Sequence, residues 1–338
     1  MNIENRAVRY KDLQPCTNAF IDTRSPGSDK KENFTVIGPG VAENPDQHIH
    51  IAIPHGFNIG GARQPAKCLN SQHSHLTEEV FVVHTGQWDF MTGVNADDSR
   101  VSLNKGDIIS IPMDVFRGFE CIKGLPDGEH KGLGYLHAVL GGDNPGRVLW
   151  TPKVFEMAKD FGLILLDDGS LVDTTLGEKI PESKKPMPVT TQAQIDEHRK
   201  IGNEDLEKCV IRTDNFDWRK DTELSKFDGV EEVSLIGGDN PEEGIIASRL
   251  GWKHGFVVRG LKLAAGAEIP SHIRSEEEGL FVDQGKIKIT VDGDTIELGE
   301  GDNFTTPIGA NRSFVNNGGS DLIVYVTRGG DAPKAPQF

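Results

Sequence analysis

The sequence predicts an all-β protein of two tandem barrels, each of the double-stranded β-helix or jelly-roll kind, joined by a partly helical connector. Three observations predict it. The chain repeats itself at domain scale. Each copy consists of short alternating segments punctuated by Gly and Asp. The composition, 39 Gly and 18 Pro in 338 residues, favours turns over a helical bundle.

The repeat comes first. Residues 55–86 align without gaps on residues 254–285 at a constant offset of 199, with ten of 32 positions identical. His55/His254, His73/His272, Glu79/Glu278 and Gly86/Gly285 are among them. A second block, GDIISIPMDVFRGF (106–119), matches GDNFTTPIGANRSF (301–314). A third, GYLHAVLGGD (134–143), matches LIVYVTRGGD (322–331) and closes each copy. The period is too long for a solenoid, so two domain-sized copies follow. VFVVHTGQWDFMTG and KIKITVDGDTIEL read as strands, and VDGD as a hairpin turn. Between the copies, TPKVFEMAKDFGLILL (151–166) has helical spacing after a proline start. TTQAQIDEHRKIG (190–202) reads as a helix capped by Thr190 or Thr191 and stopped at Gly202. The resulting division is a first barrel at 1–150, a connector at 151–215 and a second barrel at 216–338.

Lys plus Arg number 36 against 52 Asp plus Glu, a net charge of −16. That charge repels phosphate backbones and anionic membranes, so neither nucleic acid nor membrane is expected as a partner. No stretch approaches the ~20 apolar residues of a membrane span, and residues 1–14 lack the apolar core of a secretory signal. The expected setting is cytoplasmic. Cys16, Cys68, Cys121 and Cys209 lie far apart and read as reduced, structural thiols.

The chemistry concentrates in the first copy. His73 and His75 are two apart, so on a strand they share a face. Glu79 is four further on, out of reach on a straight strand. A bend at Leu76-Thr77-Glu78 would return it to the two imidazoles. Two neutral His nitrogens and one carboxylate form a set suited to Fe(II) or another divalent ion, with Mn, Zn, Ni or Cu as alternatives. His48 and His50 have no carboxylate at useful spacing and read as structural, as do His55 and His254, which recur in both copies.

HSHLTEEVFVVHTG followed by GDIISIPMDVFRGF resembles the two cupin motifs, G-x5-HxH-x3,4-E-x6-G and G-x5-PxG-x2-H-x3-N. The match recurs in the second copy, so the chain resembles a bicupin. The resemblance implies metal ligands at His73, His75 and Glu79, with Gly86, Gly106 and Pro112 as motif positions. The second-motif histidine is replaced by Arg117, and a guanidinium does not ligate a cation. His137, on the closing strand, is the candidate substitute. His84 has the wrong parity to join Glu79. Arg117 either orients an acidic substrate, as a catalytic residue, or pairs with a buried acid such as Glu79 or Glu120. The second copy reads His272, Arg274, Glu278 and Arg312. It is expected to be metal-free, either as a scaffold or as an anion pocket on Arg274 and Arg312.

The resemblance to quercetin- and gentisate-type bicupins implies a dioxygenase acting on a small hydroxylated, aromatic or acidic, substrate. A non-oxidative isomerase or lyase is the alternative, and a binding protein with a vestigial site the third. The resemblance also implies a homodimer.

Overall fold

The strands form where small and β-branched residues alternate, and they close into two barrels. In the computed structural model, which describes residues 2–338, the first barrel joins a seven-stranded sheet to a five-stranded one. The first sheet is centred on Glu79–Thr85, Leu133–Gly141 and Phe57–Pro65. The second carries Leu69–His75 between Val148–Trp150 and Arg117–Lys123. The second barrel repeats this plan with a six-stranded and a four-stranded sheet. Its Asp292-Gly293 hairpin has φ 49° and 93°, the left-handed pair that the VDGD turn requires.

The period-2 rule decides which side chains face which space. In Glu79–Thr85, Glu79, Phe81 and Val83 point into the first barrel, whereas Val80, Val82 and His84 point at the second. Phe281 and Tyr325 answer from the other side, completing an apolar interface between the barrels. At Gly279 an added Cβ would lie 3.1 Å from the Phe57 ring, so glycine permits the close approach there. At the centre His84 Nδ1 donates to Asp283 Oδ1 at 2.9 Å, both buried. These two residues are the same position of the repeat, 84 and 84 + 199.

Two short arms cross between the barrels. Ala7–Val8 pairs with Phe304 and Asn303 of the second barrel, and the Tyr10 amide donates to Asp302. Reciprocally, Val210–Ile211 pairs with Ile109 and Ile108 of the first barrel, and the Thr213 amide donates to Asp107. Arg9 meets Asp302 at 3.2 Å and Arg212 meets Asp107 at 3.2 Å. Residues 3–10 thus reach the second barrel, although in sequence they head the first.

The connector differs from its sequence reading in two places. Helix Pro152–Asp160 stops at Gly162, whose φ of +79° ends it, and Leu163–Leu165 pairs with Leu171–Asp173 as a hairpin instead of continuing the helix. Helix Gln192–Asp196 has a capping box between Thr191 and Gln194. Gly202 is not its stop but the N-cap of the next helix, Asn203–Lys208. All four cysteines are free. Among the described residues no helix is long and apolar enough to cross a membrane.

Candidate metal centre

Strand Leu69–His75 carries one more residue than its partner between two paired positions: His73 lies opposite Arg117, but Asn70 lies opposite Phe119. This bulge lets His73, His75 and also Asn70 face the interior. The chain then turns through Leu76-Thr77-Glu78, where the Thr77 hydroxyl donates to the Gly141 carbonyl at 3.0 Å. Glu79 opens the returning strand.

His73 Nδ1 donates to the Ser71 carbonyl at 2.7 Å, which leaves Nε2 as the lone-pair nitrogen. That Nε2 lies 3.1 Å from His75 Nε2, and His75 Nε2 lies 3.0 Å from Glu79 Oε2. One ligand atom from each residue falls within 4.8 Å of the others, and all three side chains are buried. Glu79 Oε2 has no hydrogen-bond donor, an orphaned buried acceptor. Burial, then the neighbouring His75, lowers the His73 pKa to about 3, so it stands as neutral imidazole. Burial alone would raise Glu79, but His75 and Arg117 overcome it and hold the carboxyl below its ordinary range. A neutral His73 nitrogen beside an ionised Glu79 carboxylate offers a divalent cation the forms it binds. The donor set therefore fits the expected metal.

His137 does not join it. Leu140, not His137, lies opposite Glu79, so a residue three away points to the other face. The His137 ring stacks on Phe281 of the second barrel at 4.1 Å and 18°. The expectation of a fourth ligand there is corrected by strand parity. His84 likewise faces the second barrel. Arg117 is buried near the ligands, but its Nη2 donates to the Ile111 carbonyl at 3.0 Å and its Nη1 to Val115 at 3.4 Å. Arg312 makes the equivalent bonds, to Pro307 and Ala310. The guanidinium ties down the turn in both copies, and neither Glu79 nor Glu120 forms an ion pair with Arg117. It acts on Glu79 through its field and does not line the cavity.

The cavity next to the ligands encloses about 660 Å³, part of it open at the mouth. Small residues make the room: Gly60, Ala62 and Ala138 line it. Phe81, Phe119 and Trp150 supply aromatic walls. Sequence reasoning missed these residues, because a void is made by side chains that are absent.

A connector residue was missed as well. Ser74, between the two histidines, points outward, and its hydroxyl donates to His198 Nε2 at 2.8 Å. His198 Nδ1 donates to the Gln194 carbonyl, and its ring stacks on Phe116 at 4.3 Å. The connector thus braces the strand that carries both imidazoles. His198→Ala is expected to weaken metal affinity about 10-fold, the low end of outer-shell effects, with the fold intact. A metal-chelator competition titration measures this, and unchanged affinity would reduce His198 to a surface cover.

In the second barrel a guanidinium stands where the second histidine would be. Arg274 Nη1 meets Glu243 Oε1 at 2.6 Å, and its Nε lies 3.7 Å from Glu278. Arg328 Nη2 meets Glu243 Oε2 at 2.6 Å, and Arg312 lies 3.7 Å from Glu278. Fixed cations neutralise the carboxylates, and none of the three-ligand kind gathers there among the described residues.

The cupin domain family matches residues 261–328, inside this second barrel. Oxalate decarboxylase from Lactobacillus farciminis, in a formate complex, is similar in structure at a TM-score of 0.57 and 12% identity, over 99% of this chain and 88% of that one. Oxalate decarboxylase from Bacillus subtilis is similar at 0.57 and 11% identity, over 98% and 78%. No curated protein matches the sequence. The cupin match at residues 261–328 and a two-barrel likeness in fold along nearly the whole chain agree with the motifs read in both copies: the fold is that of a bicupin, with a cupin domain matched in its second barrel.

Proposed function

We propose that the chain is a metal-dependent oxidoreductase of the dioxygenase type, working in the first barrel on a small hydroxylated substrate. One observation carries the reading: two imidazole Nε2 atoms and a carboxylate oxygen converge on a cavity whose lining holds no other ionisable group. A divalent ion held by His73, His75 and Glu79 would supply a Lewis-acid and, for iron, redox-active centre with open coordination positions. The protein's own part is to hold His73 neutral and Glu79 ionised, to keep bulk water away with Phe81, Phe119 and Trp150, and to admit the substrate past the mouth. A lyase or isomerase needs a positioned proton donor or acceptor. The lining offers none beyond the ligands themselves, which favours chemistry that the ion and O2 can complete.

The non-oxidative reading is the second one, supported by the likeness in fold to two oxalate decarboxylases. Oxygen uptake separates the two. Metal-replete protein given hydroxylated aromatic compounds is expected to consume O2 in step with substrate. Turnover under argon at an undiminished rate would defeat the dioxygenase reading in favour of the lyase. Protein purified without bound metal, and unable to acquire it, would defeat both and leave a binding protein.

A further inference from the structure

The second barrel serves as an internal control for the first. At the constant offset of 199, Gly60 corresponds to Arg259, Ala62 to Leu261, Gln64 to Leu263 and Asn70 to Ile269. Leu140 corresponds to Arg328, since they lie opposite Glu79 and Glu278. Asn33 corresponds to Glu232, opposite Ala62 and Leu261. The differences are of two kinds: Leu261, Leu263 and Ile269 fill the second barrel with aliphatic carbon where the first has Ala62, Gln64 and Asn70, and charge accounts for the rest. Where the second barrel is filled with guanidinium and carboxylate, the first has glycine, leucine and carboxamide.

The first barrel therefore has a neutral polar wall in an otherwise apolar cavity. Asn33 and Asn70 both line it. Asn33 Nδ2 is buried without a partner. Gln64 Nε2 donates to Asn70 Oδ1 at 3.3 Å, and Gln64 Oε1 is buried without one. The bulge in Leu69–His75 is what turns Asn70 inward. Lys and Arg are absent from the lining. An anionic group away from the ion would therefore meet aromatic carbon and amide, with no cation to replace its water. A hydroxyl or carbonyl would meet hydrogen-bonding partners.

We infer that the substrate is uncharged apart from the oxygens that chelate the ion: an aromatic or similarly apolar ring, with a neutral hydroxyl or carbonyl on the side read by Asn33 and Asn70. The inference rests on the metal-centre reading above and adds the substrate class. Asn33 and Asn70 are its specificity determinants, and Gly60 and Ala62 give the ring its room.

Three chelators test it by calorimetric titration into the metal-replete full chain. Maltol is a neutral ring with a hydroxy-ketone pair. Kojic acid adds a hydroxymethyl group on the far side of a similar ring. Comenic acid has the ring and hydroxy-ketone pair of kojic acid with a carboxylate in place of the hydroxymethyl group. Both neutral rings are expected to bind at least about 10-fold more tightly than comenic acid, whose far carboxylate would meet no countercharge. Kojic acid is expected to exceed maltol by about 5-fold, the size of one net hydrogen bond. Asn70→Leu and, independently, Asn33→Leu should reduce that advantage while leaving metal content unchanged. Comenic acid binding as tightly as the neutral rings would overturn the inference, and so would a kojic acid advantage that is absent or survives both substitutions. Each of those results leaves the metal centre standing. A wild-type chain that takes up no metal fails at the earlier step and removes both.

Discussion

Replacing His75 by alanine is expected to abolish metal retention and turnover while leaving the fold in place. His75 is the middle member of the set, 3.1 Å from His73 Nε2 and 3.0 Å from Glu79 Oε2. Its other ring nitrogen, Nδ1, has no partner, so truncation breaks no bond to the scaffold. Two donors remain, too few for a divalent ion in competition with water. Removing an outer-shell partner costs 10- to 100-fold in affinity, so the loss of a direct ligand should exceed about 100-fold. Metal analysis and oxygen uptake on the variant measure this, with circular dichroism as the control for folding. A variant that keeps a full complement of metal would disprove the assignment. The second barrel already contains a version of this experiment: Arg274 occupies the equivalent position, and Glu278 is held by cations instead.

The largest effect on stability is expected at Glu243→Gln. This carboxylate lies between Arg274 and Arg328, each at 2.6 Å, and all three side chains are 3% exposed or less. Removing one member of a buried ionic cluster strands its partners, at a cost of about 3–5 kcal/mol. The midpoint of denaturant unfolding should fall accordingly, and a shift below about 1 kcal/mol would show that the cluster relaxes. The same cluster sets an acid limit. Burial alone would raise Glu243, but Arg328 and Arg274 hold it below the ordinary range. Glu278 is likewise lowered, by Arg312 and Arg274 against its own burial. A carboxyl with a depressed folded pKa stabilises the fold above its unfolded value, about 4.3 for Glu. That contribution is lost as the pH falls further, through the folded pKa, because the unfolded chain takes up protons first.

The ligand set was legible because its chemistry sits in one short stretch. His73 and His75 share a strand face by the period of two, and Glu79 needs only a bend. His137 misled because its placement depends on register: the motif gives no count of residues across the strand Leu133–Gly141, and one odd step moves a side chain from cavity to interface. The arms Ala7–Val8 and Val210–Ile211 are two residues each, too short for any alternation to register. Their pairing is set by distant partners. The cavity was hidden for a related reason. Gly60 and Ala62 in a strand read as weak β-formers, whereas their meaning comes from the Arg259 and Leu261 that fill the other copy. In the connector, Gly162 was passed over because the apolar run LILL continues the helical spacing beyond it.

The exchanged arms have a consequence for how the chain can be divided. Each lobe wears a cuff knitted from the segment that precedes the other: Ala7–Val8 for the second, Val210–Ile211 for the first. No single cut in the linker gives two self-sufficient pieces: severing before residue 210 strips the N-terminal lobe of its Val210–Ile211 cuff, and severing anywhere after Val8 leaves the C-terminal lobe without Ala7–Val8. The two halves hold each other closed as a belt does with its buckle.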